Sequence, residues 1–274
     1  MIMEEFMYQE YLKEFKKDFK YLASRYGEQT VFADFVKMSA ISIYNALAKN
    51  EEMEQEYLKT INTYDKEAQQ LFPKMFVNLV MVYQNSDELT DVFSKFYENE
   101  NLKNAHLGQF FTPSHISNFM GEAIICKEEN INKIIEENGF ITMMEPTCGA
   151  GGMILGFAKA LKNHDINYQQ ELLVEAIDIS PTCVYMTYIQ LSLYGIPAIV
   201  YCGDTLSLKM NFKMETPFYF MNYWKFRKLY TKKNKEKQNE NQASQNKIVI
   251  DKPIEKQILL KETIVKGNCQ ITLW

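Results

Sequence analysis

The stretch from Ile141 to Gly152 constrains the fold of this chain more than any other segment. It begins with an apolar run, reaches an acidic residue at Glu145, and enters a turn with three glycines, the first of them Gly149. An apolar helical pattern follows from Met153 to Leu161. Glycines let the backbone turn tightly against a ligand, and a helix N-terminus offers free N–H groups to polar ligand atoms. The segment predicts a strand, a ligand-binding turn and a helix, although a purely structural turn has the same pattern.

Further short apolar runs alternate with helical patterns after this segment. They lie at Leu172 to Ile177, Ala198 to Tyr201 and Phe218 to Met221. Strands that alternate with helices favour βαβ units and a parallel sheet. We therefore predict the α/β class for residues 105–274, with a ligand site at the carboxyl ends of the strands.

Residues 1–104 predict an all-helical N-terminal subdomain that precedes the sheet. One apolar stripe recurs at three- and four-residue spacing, as the buried face of a helix does. Its members are Phe6, Leu12, Phe15, Phe19 and Leu22. Further helices are predicted at Val31–Ala48, Glu51–Leu71, Lys74–Tyr83 and Asp87–Asn99.

Two more acidic residues follow predicted strands. Asp178 ends the second strand, about 26 residues after the glycine turn, where a carboxylate commonly accepts hydrogen bonds from ribose hydroxyls. The alternative for Asp178 is a helix N-cap, because Ser180 and Pro181 begin the next helix. Asp204 ends the third strand and either holds an exocyclic amine or stabilises a turn.

The charge balance restricts the partners of the chain. Thirty Lys and Arg against 35 Asp and Glu give a net charge of -5, so any nucleic-acid surface must be local. Lys225 to Lys247 carries eight basic and two acidic residues, and it predicts either a mobile solvated loop or an arm that contacts phosphates. The runs beyond it, from Ile248 to Trp274, predict a closing hairpin.

Cysteine and histidine usage predicts a reduced protein without a metal. The five cysteines form no C-x-x-C pair, and the three histidines make no ligand cluster with them. No stretch approaches about 18 consecutive apolar residues, and the first residues lack a signal-peptide layout. We expect a cytoplasmic protein that does not interact with membranes.

Two motifs resemble a known family. The octapeptide E-P-T-C-G-A-G-G from Glu145 resembles the cofactor motif of S-adenosylmethionine-dependent adenine-specific DNA methyltransferases, in particular the modification subunits of type I restriction systems. G-Q-F-F-T-P at Gly108 to Pro113 matches a segment of the same family nearly letter for letter. The similarity covers about residues 105–224, less than the full family length. It implies a class I methyltransferase sheet of Rossmann-like type, methyl transfer to N6 of adenine in DNA, and S-adenosyl-L-methionine as cofactor.

The resemblance also implies roles for individual residues. Residues at the methionine end of the cofactor would be Phe111, Thr112 and Pro113. Those that flank its amino acid moiety would be Glu145, Pro146, Gly149 and Gly151. Asp178 would then bind the ribose and Asp204 the adenine.

The catalytic motif of that family, Asn-Pro-Pro followed by Phe or Tyr, is absent from this chain. At the expected place, 18 positions after Asp204 (222 − 204), stand Asn222, Tyr223 and Trp224. Asn222 is the predicted acceptor for the adenine amino group, and Tyr223 or Trp224 the predicted stacking partner of a flipped base. The alternatives are a strand-end turn residue for Asn222 and core packing for Trp224. Without the two prolines nothing fixes the φ angles that aim the carbonyl.

Four functions are compatible with these features. The first is a DNA adenine N6 methyltransferase, and the second is a module that binds the cofactor and DNA without transferring a methyl group. Methylation of RNA or protein Gln is a third, and a dehydrogenase a weak fourth because the turn lacks the G-x-G-x-x-G order. The segment after Trp224 is too short for three strands and a recognition domain, so a specificity subunit or another partner protein is expected for a defined DNA site.

Overall fold

The computed structural model describes residues 2–86, 88–100, 111–127, 131–227 and 270–272. Within these ranges, helices alone precede the first strand. They are α1 (Ile2–Tyr26), α2 (Glu28–Ala48), α3 (Glu51–Ile61), α4 (Lys66–Gln84), α5 (Val92–Asn99), α6 (Ser114–Lys127) and α7 (Ile131–Asn138).

Strands and helices then alternate. The elements are β1 (Ile141–Glu145), α8 (Gly152–Asn163), α9 (Tyr168–Glu171), β2 (Leu172–Asp178), α10 (Pro181–Leu193), β3 (Ala198–Asp204), β4 (Lys209–Glu215), α11 (Pro217–Met221) and β5 (Gln270–Thr272). The sheet has the order β4-β3-β2-β1-β5. The pairs β1–β2, β2–β3 and β1–β5 are parallel, and β4 runs antiparallel to β3. The predicted α/β class with a helical N-terminal part is confirmed.

The central strands are apolar on both faces because helices cover the sheet. In β2 and β3, five of seven residues are buried, which is the pattern of parallel strands between two helical layers. Helix α10 contacts both strands and is itself packed against α2. The N-terminal helices and the sheet therefore share one continuous core. The domain division near residue 104 stays a prediction.

Helix α2 is long and apolar enough to cross a membrane by length and composition alone. Its apolar side chains, however, pack in the protein core. Four of them are almost fully buried there: Val31, Phe32, Phe35 and Val36. The core helix of a soluble protein passes the same test.

Three predicted helix boundaries are wrong. The chain breaks at 62–65, not at Pro73, because Asp65 caps α4 by accepting a hydrogen bond from the Ala68 backbone N–H. Pro73 lies inside α4. Helix α5 begins at Val92 and not at residue 87, because the Asp91 side chain accepts a hydrogen bond from the Ser94 N–H at its first turn.

The predicted strand Phe218–Met221 is a helix, α11. Pro217 occupies its first turn, where the fixed φ of proline favours a helix. The strand that the prediction missed is β4, which is mostly exposed and buries only Met214, so it lacks an apolar pattern. For the tail from Ile248 to Trp274 the sequence predicted a closing hairpin. In the structure, β5 from this tail pairs with β1 in parallel. The other apolar runs of the tail lie outside the described residues.

Candidate functional site

Three acidic residues meet at one edge of the sheet. Glu145, Asp178 and Asp204 are the last residues of β1, β2 and β3. These strands are parallel neighbours in the order β3-β2-β1, so their carboxyl ends lie side by side. This edge is where open α/β sheets bind ligands.

The glycine turn is tied to the neighbouring strand. Gly149 and Gly151 have φ angles of +54° and +96°, in the left-handed region that favours glycine. The Gly149 N–H donates to an Asp178 carboxylate oxygen at 2.9 Å, and the Cys148 N–H donates to the Ile177 carbonyl at 2.8 Å. A Cβ on Gly149 would come within 3.1 Å of the Phe111 ring. The space between the Gly149 backbone and the Phe111 ring is therefore free only because Gly149 has no side chain.

Phe111 and Thr112 lie against this turn. Phe111 is held edge-to-face by Tyr97, with ring centroids 5.3 Å apart. Phe111, Thr112 and Gly149 line one cavity of about 60 Å³. Pro113 is not part of that lining, and its carbonyl accepts hydrogen bonds from the first turn of α6.

The same cavity has two lining residues from the N-terminal helices. Asp91 and Ser94, on either side of the start of α5, line it together with Thr147, Cys148 and the turn. A buried glutamine connects them to the sheet: Gln190 on α10 donates to the Asp91 carboxylate at 3.0 Å and to the Ala150 carbonyl at 2.5 Å. The sequence analysis missed this contribution, because residues 91 and 150 meet only through long-range packing.

Glu145 is almost fully buried, with 2% of its surface exposed. One carboxylate oxygen accepts a hydrogen bond from the Thr147 N–H at 3.2 Å, and the other, Oε2, has no partner among the described residues. Burial raises the pKa of Glu145 to about 7, and the nearby charge of Asp178 adds to the shift. Glu145 therefore titrates near neutral pH at the end of β1.

Asp178 supports the backbone and keeps capacity to bind a ligand. Its two oxygens accept from the Gly149 and Ser180 N–H groups, each at 2.9 Å. Burial raises its pKa, against these hydrogen bonds. A carboxylate has about four lone-pair sites, so both oxygens remain able to accept from a hydroxyl. The N-cap of α10 is Ser180, not Asp178.

Asp204 stabilises its own turn. Its oxygens accept from the Leu206 N–H at 2.9 Å and from the Ser207 hydroxyl at 2.8 Å, and these bonds lower its pKa, the Ser207 bond most. The next residue, Thr205, donates to the Pro146 carbonyl at 2.5 Å. The end of β3 is thereby joined to the turn after β1, and Pro146 contributes through its backbone.

Comparison with known proteins gives a family. The sequence model of N-6 DNA methylase matches residues 84–256, more than half of the chain. The chain belongs to the N-6 DNA methylase family. The match begins before α5, so it includes the helix that follows Asp91 as well as the glycine turn.

Several solved chains are similar to this methylase-family chain. One of them is a Listeria monocytogenes protein assigned to the class I S-adenosylmethionine-dependent methyltransferases, 15% identical, with a TM-score of 0.33. The alignment covers 65% of this chain and 54% of that one, so the chain spans about half the length of that protein. A search of curated proteins finds no match.

The structure separates Asn222, Tyr223 and Trp224 from the carboxyl edge of this methylase-family sheet. The Asn222 side chain donates to the Gln169 carbonyl at 2.7 Å, just before β2 begins. Trp224 is fully buried and packs edge-to-face on Phe140, which precedes β1. Tyr223 is 70% exposed. The structure therefore does not bring the three predicted catalytic residues together with Glu145, Asp178 and Asp204.

The direction of β4 explains their position. Because β4 is antiparallel to β3, it returns the chain to the amino edge of the sheet before α11 begins. Arg227 then donates to the carbonyls of Gly139 and Gln170, at 2.8 and 2.7 Å. Strand β2 has seven residues, so the two edges are separated by about 20 Å at ~3.3 Å per residue.

Two exposed apolar residues at the carboxyl edge were missed by the sequence analysis. Ile179 and Leu206 are 72% and 96% exposed, and they follow the strand-end acids by one and two positions. Their signal in the sequence is an apolar residue one or two positions after an acidic strand end. They offer apolar surface next to Asp178 and Asp204, where a flat ring can pack.

Some predicted features lie outside the described residues. These are Gly108 to Phe110 of the G-Q-F-F-T-P motif and residues 228–247 of the basic segment. Among the residues that the structure describes, no group of three or more His, Cys, Asp or Glu is placed to hold a metal ion.

Proposed function

We propose that this chain binds S-adenosyl-L-methionine at the carboxyl edge of β1, β2 and β3 and transfers its methyl group to N6 of adenine in DNA. The observation that carries the proposal is the Gly149 turn, which is bound to Asp178 and lies beside the cavity lined by Phe111. The family match supports methyltransferase chemistry. The finer assignment, a protein like a type I modification subunit, rests on the two motifs alone.

The residues at this edge fit the cofactor. The backbone at Gly149 is open where a Cβ would reach Phe111, and Glu145 has a buried oxygen without a partner among the described residues. Asp178 keeps lone pairs for the ribose hydroxyls, and Ile179 offers apolar surface to the adenine ring. When bound, the cofactor supplies an electrophilic methyl group on a sulfonium.

The adenine amino group is a poor nucleophile, because its lone pair is delocalised into the ring. An acceptor that hydrogen-bonds this amino group localises the pair, and a shaped pocket contributes alignment. We propose an acceptor other than Asn222, since the Asn222 side chain lies at the opposite edge of the sheet and donates to the Gln169 carbonyl. In this proposal, the base is held by residues other than the Asn222 segment.

Two measurements on the full chain test the proposal. Calorimetric titration should show that S-adenosylmethionine and its demethylated product bind, and that Asp178→Ala weakens both. Transfer of a tritiated methyl group to unmethylated adenine-containing DNA should then appear, while DNA methylated beforehand at N6 should accept none. Absence of cofactor binding would refute the proposal.

A second function is favoured by the position of Asn222. With no Asn-Pro-Pro motif and with Asn222 on the amino edge, the chain is a candidate for a module that binds cofactor and DNA without methyl transfer. Cofactor binding together with no incorporation of tritium, in the presence or absence of a specificity partner, distinguishes this module from the enzyme.

The partners and location are also proposals. DNA and a specificity subunit or another partner protein follow from the methyltransferase assignment, and a cytoplasmic location follows from the cysteine usage. Purification of the chain from its native cells, followed by identification of associated DNA and protein, tests the two partners, and fractionation of the cells tests the location.

A further inference from the structure

Asp91 is a buried carboxylate with only one oxygen engaged among the described residues. It is 4% exposed, and its Oδ1 accepts from the Ser94 N–H at 2.9 Å and from the Gln190 side chain at 3.0 Å. The other oxygen, Oδ2, points to the glycine turn: a Cβ on Gly152 would lie 2.8 Å from it. Asp91 also lines the small cavity beside that turn.

A second polar group in the cavity lacks a partner. Ser94 is 7% exposed, and its Oγ is buried without a hydrogen bond among the described residues. It lines the same cavity as Asp91 and Phe111. A buried hydroxyl without a partner costs about 1–3 kcal/mol in folding, so a hydroxyl kept in this state indicates a ligand that bonds to it.

The charge of the cavity selects a cation. The described lining contains one acid, Asp91, and no Lys, Arg or His. A buried charge is unfavourable unless it is paired. The complementary ligand group is therefore a small ammonium, which offers hydrogen-bond donors to a carboxylate and to a hydroxyl.

The size of the cavity limits what enters it. Its volume of about 60 Å³ exceeds the ~10–15 Å³ that holds one water, yet it is far below the ~300–1,000 Å³ of a whole-ligand site. It accommodates the end of a molecule whose remainder lies outside. Glu145, the other candidate carboxylate, is not part of the lining.

We infer that Asp91 binds the α-amino group of the methionine moiety of the cofactor, with the Ser94 hydroxyl beside it. This inference rests on the proposed function, and it replaces Glu145 in the role that the resemblance implied. It makes the N-terminal helices part of the cofactor site. Cofactor affinity then depends on the position of α5 relative to the glycine turn.

The test compares ligands with and without the amino acid moiety, by calorimetry on the full chain. The ligands are S-adenosylhomocysteine and methylthioadenosine, which keeps the nucleoside and the sulfur but lacks the amino acid end. Asp91→Asn retains Oδ1 for Ser94 and Gln190 and replaces only the oxygen that faces the cavity. We expect Asp91→Asn to weaken the binding of S-adenosylhomocysteine about ten- to a hundredfold. The affinity for methylthioadenosine should change less than twofold.

The matched control is Tyr83→Phe. It removes a hydroxyl that donates to Gln190 at 2.8 Å in the same buried network but leaves the cavity intact. It should leave the ratio of the two affinities unchanged. The inference is overturned if Asp91→Asn weakens the binding of both ligands equally, or if it weakens the binding of neither.

If Asp91→Asn does not fold, the inference can be tested by changing the ligand and keeping the wild-type chain. The wild-type chain should bind deaminated S-adenosylhomocysteine at least tenfold more weakly than the parent compound, and equal affinities would overturn the inference. Failure of the wild type to bind any of these nucleosides refutes the proposed function itself. Binding of the nucleosides without discrimination refutes only the role of Asp91.

Discussion

At the scale of single residues, the end of β1 has a built-in pH dependence. Glu145 is buried with one oxygen lacking a partner among the described residues, and its pKa is raised from 4.5 to about 7. The folded protein therefore binds more protons than the unfolded chain between these two values. The free energy of unfolding must fall as pH rises through this window and become level above it.

We predict that Glu145→Gln removes this dependence. Between pH 4.5 and 8, the wild type should lose about 3 kcal/mol of unfolding free energy relative to the variant, from a shift of about 2.5 units at 1.36 kcal/mol each. Urea unfolding at several pH values measures the difference. Using the difference also cancels the contribution of Asp178, whose pKa is raised by its own burial. Parallel stability curves would mean that Glu145 is hydrated in the folded state.

At the scale of elements, the segment 222–227 closes the amino edge of the sheet. Trp224 is completely buried against Phe140 and Leu173. The Arg227 guanidinium lies 4.0 Å from the Trp224 ring centroid and bonds two carbonyls that precede β1 and β2. Two of the three residues that the sequence analysis predicted to be catalytic therefore stabilise the fold.

We predict that Trp224→Ala lowers the unfolding free energy by about 3–5 kcal/mol. Asn222→Ala should cost only about 1 kcal/mol, for one hydrogen bond. Phe226→Ala is the control, because Phe226 is 66% exposed and should change little. Denaturant unfolding measures all three, and titration of folded Asn222→Ala with S-adenosylmethionine should give wild-type affinity. A large loss of affinity would return Asn222 to the cofactor site.

The packing of α6 on α8 depends on glycine contacts. A Cβ on Gly121 would lie 2.5 Å from the Gly156 carbonyl oxygen, and a Cβ on Gly156 would lie 2.4 Å from the Ser117 carbonyl oxygen. The two helices therefore approach backbone to backbone. This contact holds α6, which follows Phe111, against α8, which follows the glycine turn.

We predict that Gly156→Ala separates the two helices and costs about 1–3 kcal/mol or more, despite the higher helix propensity of alanine. His115→Ala, an exposed position on α6, is the control and should be nearly neutral. Thermal unfolding measures both. Cofactor affinity of Gly156→Ala should also fall, because Phe111 and Gly149 would no longer face each other correctly.

At the scale of the whole molecule, the helical and sheet parts share one core. A single cluster of buried residues runs from Phe15 in α1 to Met214 in β4. Buried polar contacts add to it, including the Tyr44 hydroxyl, which donates to Glu215 at 3.2 Å. Because the helices and the sheet share this core, we expect them to unfold together.

We predict one unfolding transition in urea, with the same midpoint by far-UV circular dichroism and by tryptophan fluorescence. A fragment that begins at residue 105 should fail to fold, because α10 would expose the face that packs on α2. Its NMR spectrum should lack dispersed methyl signals. A well-dispersed spectrum from the fragment would instead establish the division near residue 104 as a true domain boundary.

The sequence predicted the central sheet well and its margins poorly. Strands β1, β2 and β3 were located to within three residues, because fully buried strands are continuous apolar runs. Strand β4 was missed because its exposed edge carries no such run. Helix α11 was predicted as a strand because the four aromatic and apolar residues Phe218–Met221 fit both structures, and Pro217 in the first turn favours the helix.

What the sequence determined by itself is the strand, the glycine turn and the helix around Gly149, since each is encoded within a few neighbouring residues. The tertiary structure alone decided which distant residues join that turn and which do not. Asp91 reaches it because Gln190 connects α5 to the turn. Asn222 is excluded from it because β4 pairs antiparallel with β3 and returns the chain to the opposite edge. The direction of a strand is set by its pairing partner, and no local pattern of residues specifies that partner.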